Sequence, residues 1–338
     1  MRARSLLLAL VVVSLALSGC AGPAASVDGA GVLVTASRDG GSAGAATIAA
    51  AGQAGTSGAT GTSGCGSDAT PAGSSSTRSV SVAGVTRTAQ LHVPNGYDGS
   101  TPTPVILAFV GHGMSTQKLE GFSGFDDSDA IVFYPQPAGS APQNGWESAP
   151  YASGQDDVAF VGALLDDLEA HLCVHTARVF AAGISNGGGF VSLLSCRLPA
   201  RIAAFAVVSG AIYPADDPAC PTVPAVPVVE FHGTADPVIP YDGGTSHAAA
   251  LEPVTQWLDE QAQRSGCASS PTRTAIGSDV TEQQWCGCQG RGALTHYRIE
   301  GGGHTWPGAT ATSGPGVTTQ TISATRIIED FFAAHPLS

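Results

Sequence analysis

A strand-like run that ends in a G-x-S-x-G motif constrains the fold of this chain more than any other feature. Residues 178–182 read Arg-Val-Phe-Ala-Ala, and residues 183–187 follow at once as Gly-Ile-Ser-Asn-Gly. The apolar stretch at 190–194 is typical of a buried helix. A strand that stops at a serine, with a helix leaving directly, needs small flanking residues so that the two can pack closely. We therefore predict a sharp strand–turn–helix with Ser185 at its apex.

A second copy of the motif lacks this context. Residues 40–44 read Gly-Gly-Ser-Ala-Gly, but no strand-like run precedes them and no amphipathic helix follows. The chain contains 44 glycines, so a five-residue motif with two glycines carries little information by itself. We exclude Ser42 as a nucleophile for this reason.

An aspartate and a histidine follow Ser185 in an order that narrows the chemistry. Asp236 ends the stretch Phe-His-Gly-Thr-Ala-Asp just past a predicted buried strand, and His304 lies in a glycine-flanked loop. Ser, then Asp, then His is the chain order of the α/β-hydrolase triad. We predict Ser185 as the nucleophile, His304 as its general base and Asp236 as the group that orients the base. Asp242 and His247 are the nearest rivals for the last two roles.

Strand-like runs alternate with helical patterns along the chain, which predicts an α/β fold with a mostly parallel sheet flanked by helices. The predicted strands are 79–82, 86–93, 105–110, 130–134, 203–208, 226–231 and 296–299, and the predicted helices are 157–172, 251–264 and 321–334. In such sheets the functional groups gather where strands end. Ser185, Asp236 and the segment at 111–114 each follow a predicted strand directly.

Two backbone amides are predicted to bind the oxyanion of a tetrahedral intermediate. In this architecture one belongs to the residue after the nucleophile, which is Asn186, and the other to the loop after an early strand. We assign the second to Met114; the alternative is a glycine-rich turn with no special role. The rings of His112 and His232, each followed by glycine, are expected to fix loop geometry.

Two tryptophans are expected to line the substrate cleft. Trp306 lies two residues after His304 on the same loop, and Trp146 lies in a polar, Pro- and Gly-rich stretch after a strand. An apolar ring at either position would stack on a phenolic group or cover an alkyl chain. The alternative is that both are core aromatics that bridge loops.

The amino-terminal segment predicts export. Residues 1–20 carry Arg2 and Arg4, then an apolar run too short to anchor in a bilayer, and end in Leu-Ser-Gly-Cys. This ending resembles a bacterial lipobox, in which Cys20 would be lipidated; an ordinary secretory signal is the alternative. Either interpretation places the protein outside the cytoplasm, lipid-anchored to the outer face of the membrane or secreted. The lipid would be its only membrane attachment.

The mature chain divides by composition into a tether and one domain. Residues 21–64 are Gly, Ala, Ser and Thr with almost no large apolar side chains, which is typical of a flexible tether. Residues 65–338 are long enough for one α/β domain with a large core. We see no repeat and expect a monomer.

Charge and cysteine content exclude some function classes. The formal net charge is −13 with a single lysine, so no basic patch is available for nucleic acid. Eight cysteines in an exported chain indicate disulfides. The Cys286-Gly287-Cys288 pair has no second Cys/His pair at a suitable spacing, which argues against a zinc site. We predict no metal site.

The ordered motifs of the chain resemble those of the feruloyl esterase and polyhydroxybutyrate depolymerase family of secreted α/β-hydrolases. The matching stretches are Gly64-Cys65-Gly66, Tyr134-Pro135-Gln136, Gly145-Trp146, Asp156-Asp157-Val158, Leu172-Cys173-Val174, the elbow at 183–188, residues 227–236, Ile239-Pro240-Tyr241 and residues 303–308. The resemblance implies a cofactor-free, metal-free carboxylic ester hydrolase that works through an acyl-enzyme. It also implies the disulfides Cys65–Cys173, Cys196–Cys220 and Cys267–Cys288.

The chain departs from the family pattern at three positions: Gly111 replaces an apolar residue, His175 replaces an aspartate, and Cys286 is extra. None removes a predicted catalytic group, but Gly111 could alter the oxyanion loop. The leading hypothesis is an esterase that acts on feruloyl-polysaccharide or polyhydroxybutyrate-type esters. The alternatives are a cell-wall acyltransferase, a serine peptidase and a non-catalytic wall-binding lipoprotein.

Overall fold

The computed structural model describes residues 61–67, 70–139, 144–214 and 224–337. Within these ranges the strands are β1 (Ser75–Val82), β2 (Val85–His92), β3 (Thr103–Phe109), β4 (Ile131–Pro135), β5 (Val174–Ile184), β6 (Ala204–Val208), β7 (Pro227–Gly233), β8 (Gly244–Ser246), β9 (Ala249–Leu251), β10 (Thr272–Ile276), β11 (Val280–Trp285) and β12 (Ala293–Ile299). The α-helices are α1 (Thr116–Ser123), α2 (Asp157–His171), α3 (Asn186–Arg197), α4 (Val254–Arg264) and α5 (Ala324–Ala334).

One large sheet organises the described chain, in the order β1-β2-β4-β3-β5-β6-β7-β12-β11-β10. The six central strands, from β4 to β12 in that order, run parallel, and antiparallel strands extend the sheet at both edges. The central strands are near-continuous apolar runs because helices cover both of their faces. The predicted single domain with a mostly parallel, helix-flanked sheet is confirmed.

Local sequence signals explain where the helices begin. The Asp156 carboxylate accepts a hydrogen bond from the Ala159 amide at 2.7 Å and so caps α2. Ser115 and Ser323 cap α1 and α5 in the same way. No helix in the described ranges is long and apolar enough to cross a bilayer.

Two strand pairs escaped the sequence analysis. Strands β10 and β11 pair at the sheet edge, and their polar sequences Thr-Arg-Thr-Ala-Ile and Val-Thr-Glu-Gln-Gln-Trp give a weak apolar signal because much of each strand is not buried. Strands β8 and β9 form a separate hairpin of three residues per strand. Such short strands carry no readable period.

The folded domain begins earlier than the expected boundary at residue 65. The Thr62 hydroxyl donates to the Leu172 carbonyl oxygen at 2.6 Å, and the Gly64 amide donates to the Glu169 carbonyl oxygen at 3.2 Å. Residues 62–64 therefore pack on the domain rather than belonging to the tether.

Two of the three disulfides implied by the family resemblance are present. Cys65 bonds to Cys173 and Cys267 bonds to Cys288. Cys220 and Cys20 lie outside the described residues, so the Cys196–Cys220 pairing and the lipidation of Cys20 stay predictions. No cysteine in the described ranges has a free thiol.

Candidate active site

Ser185 occupies the sharp turn between β5 and α3. Its backbone has φ 60° and ψ −126°, a conformation that residues other than glycine rarely adopt. Hydrogen bonds hold it there: the Ser185 amide donates to the Val208 carbonyl oxygen, and the Ser185 carbonyl oxygen accepts from the Ala211 amide, both at 2.9 Å. Strain maintained by surrounding structure in this way is a feature of functional sites.

Small residues make the turn possible. A Cβ atom at Gly183 would collide with the backbone of Gly187, and one at Gly187 would collide with the backbone of Phe109. A Cβ atom at Gly111 would lie 3.1 Å from the Cβ of Ser185. The departure from the family pattern at Gly111 thus lets the loop after β3 lie directly against the serine.

Asp236 and His304 meet beyond the ends of β7 and β12. His304 Nδ1 lies 2.8 Å from Asp236 Oδ2, while Asp236 Oδ1 accepts hydrogen bonds from the amides of Val238 and Ile239, both at 2.8 Å. Burial by itself would raise the pKa of Asp236, but the hydrogen bond and charge of His304 lower it below its ordinary value. An ionised Asp236 fixes the proton of His304 on Nδ1 and leaves Nε2 free to act as a base.

Ser185 and His304 line the same pocket, whose volume is about 190 Å³. Asp236 lies behind His304 and is 5% exposed. The structure therefore brings the three predicted triad residues to one end of the sheet. The rivals are placed differently: His247 lines the pocket wall, and Asp242 is outside the pocket lining.

The two expected oxyanion donors differ in their surroundings. The Asn186 amide is the first of α3, where amides have no acceptor within the helix. The Met114 amide, by contrast, donates to the Gly111 carbonyl oxygen at 3.1 Å. Gly113 has φ 68°, so residues 111–114 form a turn with glycine at the position that requires positive φ. In this structure the turn uses the Met114 amide, and its role as an oxyanion donor stays a prediction.

Trp146 and Trp306 are core residues, which corrects the prediction that they line the cleft. Trp146 is fully buried and stacks on Phe190 at 4.9 Å, and its Nε1 donates to the Val110 carbonyl oxygen at 2.9 Å. Trp306 is 1% exposed and its Nε1 donates to the Thr325 hydroxyl at 3.0 Å. Each indole N–H has a protein partner, so both rings can be buried completely.

Sequence reasoning missed a cluster of rings in the pocket wall. The Tyr151 ring lies 4.1 Å from the ring of His112 and 4.4 Å from the ring of His247. His247 and Ala248 both have positive φ in the two-residue turn between β8 and β9, where that backbone is favoured. Burial, and then the electrostatic effect of the neighbouring His247, lower the pKa of His112 below its ordinary value.

The chain is similar to several known esterases. The family described as "Esterase PHB depolymerase" matches residues 131–249. Feruloyl esterase B of Piromyces equi is 27% identical over 62% of this chain and 41% of its own length. Feruloyl esterase C of Emericella nidulans is 32% identical over 47% of this chain and 58% of its own length. The chain thus matches less than two thirds of either relative.

A solved structure supports the fold. Acetyl xylan esterase from Aspergillus awamori superposes with a TM-score of 0.53 over 76% of this chain and 98% of that chain, at 16% identity. At that identity the likeness concerns the fold alone. Together with the mostly parallel sheet and the turn at Ser185, it identifies the α/β-hydrolase fold.

Proposed function

We propose that the chain belongs to the esterase family of the feruloyl esterases and polyhydroxybutyrate depolymerases, and that it is a serine carboxylic ester hydrolase that works through an acyl-enzyme. The observation that carries the proposal is the strained Ser185 in one pocket with His304, whose Nδ1 lies 2.8 Å from Asp236. The serine hydroxyl is a weak nucleophile until a base takes its proton, and this arrangement supplies one.

In the proposed reaction His304 Nε2 takes the proton of the Ser185 hydroxyl as Oγ bonds to the ester carbonyl carbon. Asp236 stabilises the imidazolium that forms, and the Asn186 amide donates to the oxyanion. The intermediate collapses when the C–O bond to the alcohol breaks and His304 returns its proton to the leaving oxygen. Water then attacks the carbonyl carbon of the acyl-enzyme, and His304 takes a proton from that water. The bond from the carbonyl carbon to Ser185 Oγ breaks, His304 returns the proton to Oγ, and the carboxylic acid leaves. The Met114 amide would stabilise the oxyanion only if it released its hydrogen bond to the Gly111 carbonyl oxygen and donated to the oxyanion instead.

We propose feruloyl-polysaccharide or polyhydroxybutyrate-type esters as substrates. The names of the similar proteins support an acyl group of this kind. The pocket wall also supports it, because the rings of His112, Tyr151 and Tyr213 can pack against a flat or apolar group. Among the described residues, no aspartate or glutamate lines the pocket.

We propose that the protein is exported, either secreted or attached to the outer face of the membrane through a lipid on Cys20. The signal-like residues 1–20 support this, and so do the two disulfides, which persist in oxidising compartments.

Substitution of the serine tests the proposed function. Ser185→Ala is expected to lower kcat by at least about 10⁴-fold because triad members act as a unit. The assay measures the rate of hydrolysis of methyl ferulate, short hydroxybutyrate oligomers and acetylated xylan. The matched control is Ser42→Ala, in the second copy of the motif. Retained hydrolysis in Ser185→Ala, or a wild type that cleaves none of the three, would refute the proposal.

A further inference from the structure

A cluster of buried titratable side chains lies behind Asp236 and is not used by the proposed reaction. Glu230 and His232 are on β7, His296 is on the neighbouring β12, and the side chains of all three are at most 2% exposed. Glu230 Oε1 lies 3.0 Å from His232 Nδ1, and Glu230 Oε2 lies 2.5 Å from His296 Nδ1, the second contact without hydrogen-bond alignment. Charged groups are buried this deeply only when they are paired.

The surroundings of His232 define its protonation state. Its Nδ1 faces the Glu230 carboxylate, and its Nε2 lies 2.9 Å from the Ile239 carbonyl oxygen and 3.6 Å from Asp236 Oδ2. Both ring nitrogens therefore face acceptors that have no proton to give. A neutral imidazole would leave one nitrogen lone pair against an oxygen, whereas the imidazolium donates from both nitrogens.

The other neighbours of the cluster make contacts that leave the protonation of His232 to Glu230, Ile239 and Asp236. His296 Nε2 lies 3.0 Å from the Tyr241 hydroxyl, which can donate to it, and the Arg298 guanidinium lies 5.5 Å from the centre of the Tyr241 ring. His304 Nδ1 lies 2.8 Å from Asp236 Oδ2, the oxygen that His232 Nε2 faces at 3.6 Å. Within the described ranges, no group of three His, Cys, Asp or Glu residues could hold a metal ion.

The contacts of His232 also close the loop that carries Asp236. His232 Nε2 binds the Ile239 carbonyl oxygen, while the Ile239 amide binds Asp236 Oδ1. The ring thus holds the end of the loop whose backbone orients the carboxylate. Its positive charge lies 3.6 Å from Asp236 Oδ2, the same oxygen that His304 Nδ1 contacts at 2.8 Å, so Asp236 stays ionised and its negative charge is shared by two imidazoles.

We propose that His232 is a positioning residue, held as an imidazolium by Glu230, that fixes the Asp236 loop and shares the Asp236 charge with His304. The role of Asp236 towards His304 rests on the proposed function, whereas the charge state of His232 does not. Burial alone would lower the pKa of His232, but the hydrogen bond and charge of Glu230 raise it above its ordinary value, in agreement with the geometry.

A measurement without catalysis tests the charge state. In the full-length Ser185→Ala variant, the ¹⁵N shifts of the His232 ring at pH 7 are expected to be those of an imidazolium, with protons on both nitrogens. The Ser185→Ala Glu230→Gln variant, which keeps the shape but removes the charge, is expected to show a neutral ring at the same pH. A neutral His232 in Ser185→Ala would overturn the proposal, whether or not the protein hydrolyses esters.

Kinetics tests the positioning role. Glu230→Gln is expected to lower kcat about tenfold with a smaller change in KM, because the loosened loop orients Asp236 but supplies only Val238 and Ile239 to the pocket lining. The acid limb of its kcat/KM profile should move up by about one pH unit, since Asp236 then holds a proton on His304 more strongly. Glu230→Asp, which keeps the charge, should retain the wild-type profile.

The control for the kinetic test is Glu169→Gln, a carboxylate paired with Arg201 outside the pocket lining. It is expected to leave kcat and the pH profile unchanged. An active wild type with an unchanged profile in Glu230→Gln would overturn the positioning role and leave the proposed function standing. An inactive wild type would refute the proposed function instead, and the ring shifts would still decide the charge of His232.

Discussion

Two loops near the site are held by buried ion pairs that differ in their cation. The loop that contains Trp146 is fastened by Asp157, which accepts from Arg87 at 2.6 Å and from the Glu147 amide at 2.9 Å. The loop that contains Asp236 is fastened by the pair of Glu230 and His232. Arginine keeps its proton at every pH at which the protein is folded, whereas histidine can release its own. The ion pair at the first loop therefore persists over the whole pH range of the folded protein, whereas the ion pair at the second loop depends on pH.

The cost of breaking each pair should follow from this difference. If Arg87 is removed, Asp157 remains in a buried position, and burial already raises its pKa. If Glu230 is removed, the orphaned His232 can lose its proton and become a neutral ring. Because an unpaired imidazolium can lose its proton, the free-energy cost of burying an unpaired charge is limited at His232.

Arg87→Met should produce the largest effect on stability. The variant leaves the Asp157 carboxylate buried without its cation, for which we expect a loss of about 3–5 kcal/mol in the free energy of unfolding. Chemical denaturation at pH 8 and pH 9 should give the same loss, because an arginine side chain stays protonated at both. Arg201→Met, which removes a partly exposed pair with Asp166 and Glu169, is the control and should cost under about 1 kcal/mol. Equal losses in the two variants would contradict the comparison.

Glu230→Gln should cost less, about 1.5–3 kcal/mol, and the loss should depend on pH. The pKa of Glu230 is lowered from 4.5, although burial opposes this, and the pKa of His232 is raised from 6.5. The pair therefore stabilises fully between about pH 4.5 and 6.5. Its contribution falls as the pH rises through the raised pKa of His232, and again as the pH falls through the lowered pKa of Glu230.

The measurement for Glu230→Gln is the unfolding free energy of variant and wild type from pH 4 to pH 9. A difference in unfolding free energy that is largest below pH 7 and becomes smaller towards pH 9 supports a pH-dependent ion pair. A difference as flat as that of Arg87→Met would show that His232 does not change charge in the folded protein.

Tyr241→Phe should have the smallest effect, about 1 kcal/mol, because it removes one hydrogen bond to His296 at the end of the cluster. The ring and its contact with Arg298 remain. Thermal and chemical denaturation measure the change. A loss as large as that of Arg87→Met would mean that His296 and Glu230 depend on Tyr241 for their pairing.

The parts of the site that could be predicted from the sequence are those whose position follows from strand ends. Ser185 and Asp236 each come just after a buried strand, so residue order alone brings them to one edge of the sheet. No such rule gives the direction of a side chain in a loop. The sequence therefore predicts Trp146 and Trp306 in the cleft, whereas both lie in the core. The Gly-His-Gly-Met segment did contain a signal, since glycine in the third position favours the turn that occupies the Met114 amide.

The buried cluster could also have been suspected from the sequence. Glu230 is a charged residue inside the mostly apolar strand β7, and such a residue needs a partner. His232 points to the same face two residues later, which makes it a candidate. His296 belongs to a strand 66 positions away in the chain, so its contribution depends on the β7–β12 register, which no local pattern fixes.

The Cys65–Cys173 bond fixes where the described chain enters the domain. Cys173 directly precedes the first residue of β5, and Ser185 directly follows the last. The eleven residues of β5 span about 36 Å at 3.3 Å per residue. The described chain therefore enters the domain at one end of β5, while Ser185 and the pocket lie at the other end. A substrate reaches the serine from the end of the strand that the disulfide leaves uncovered.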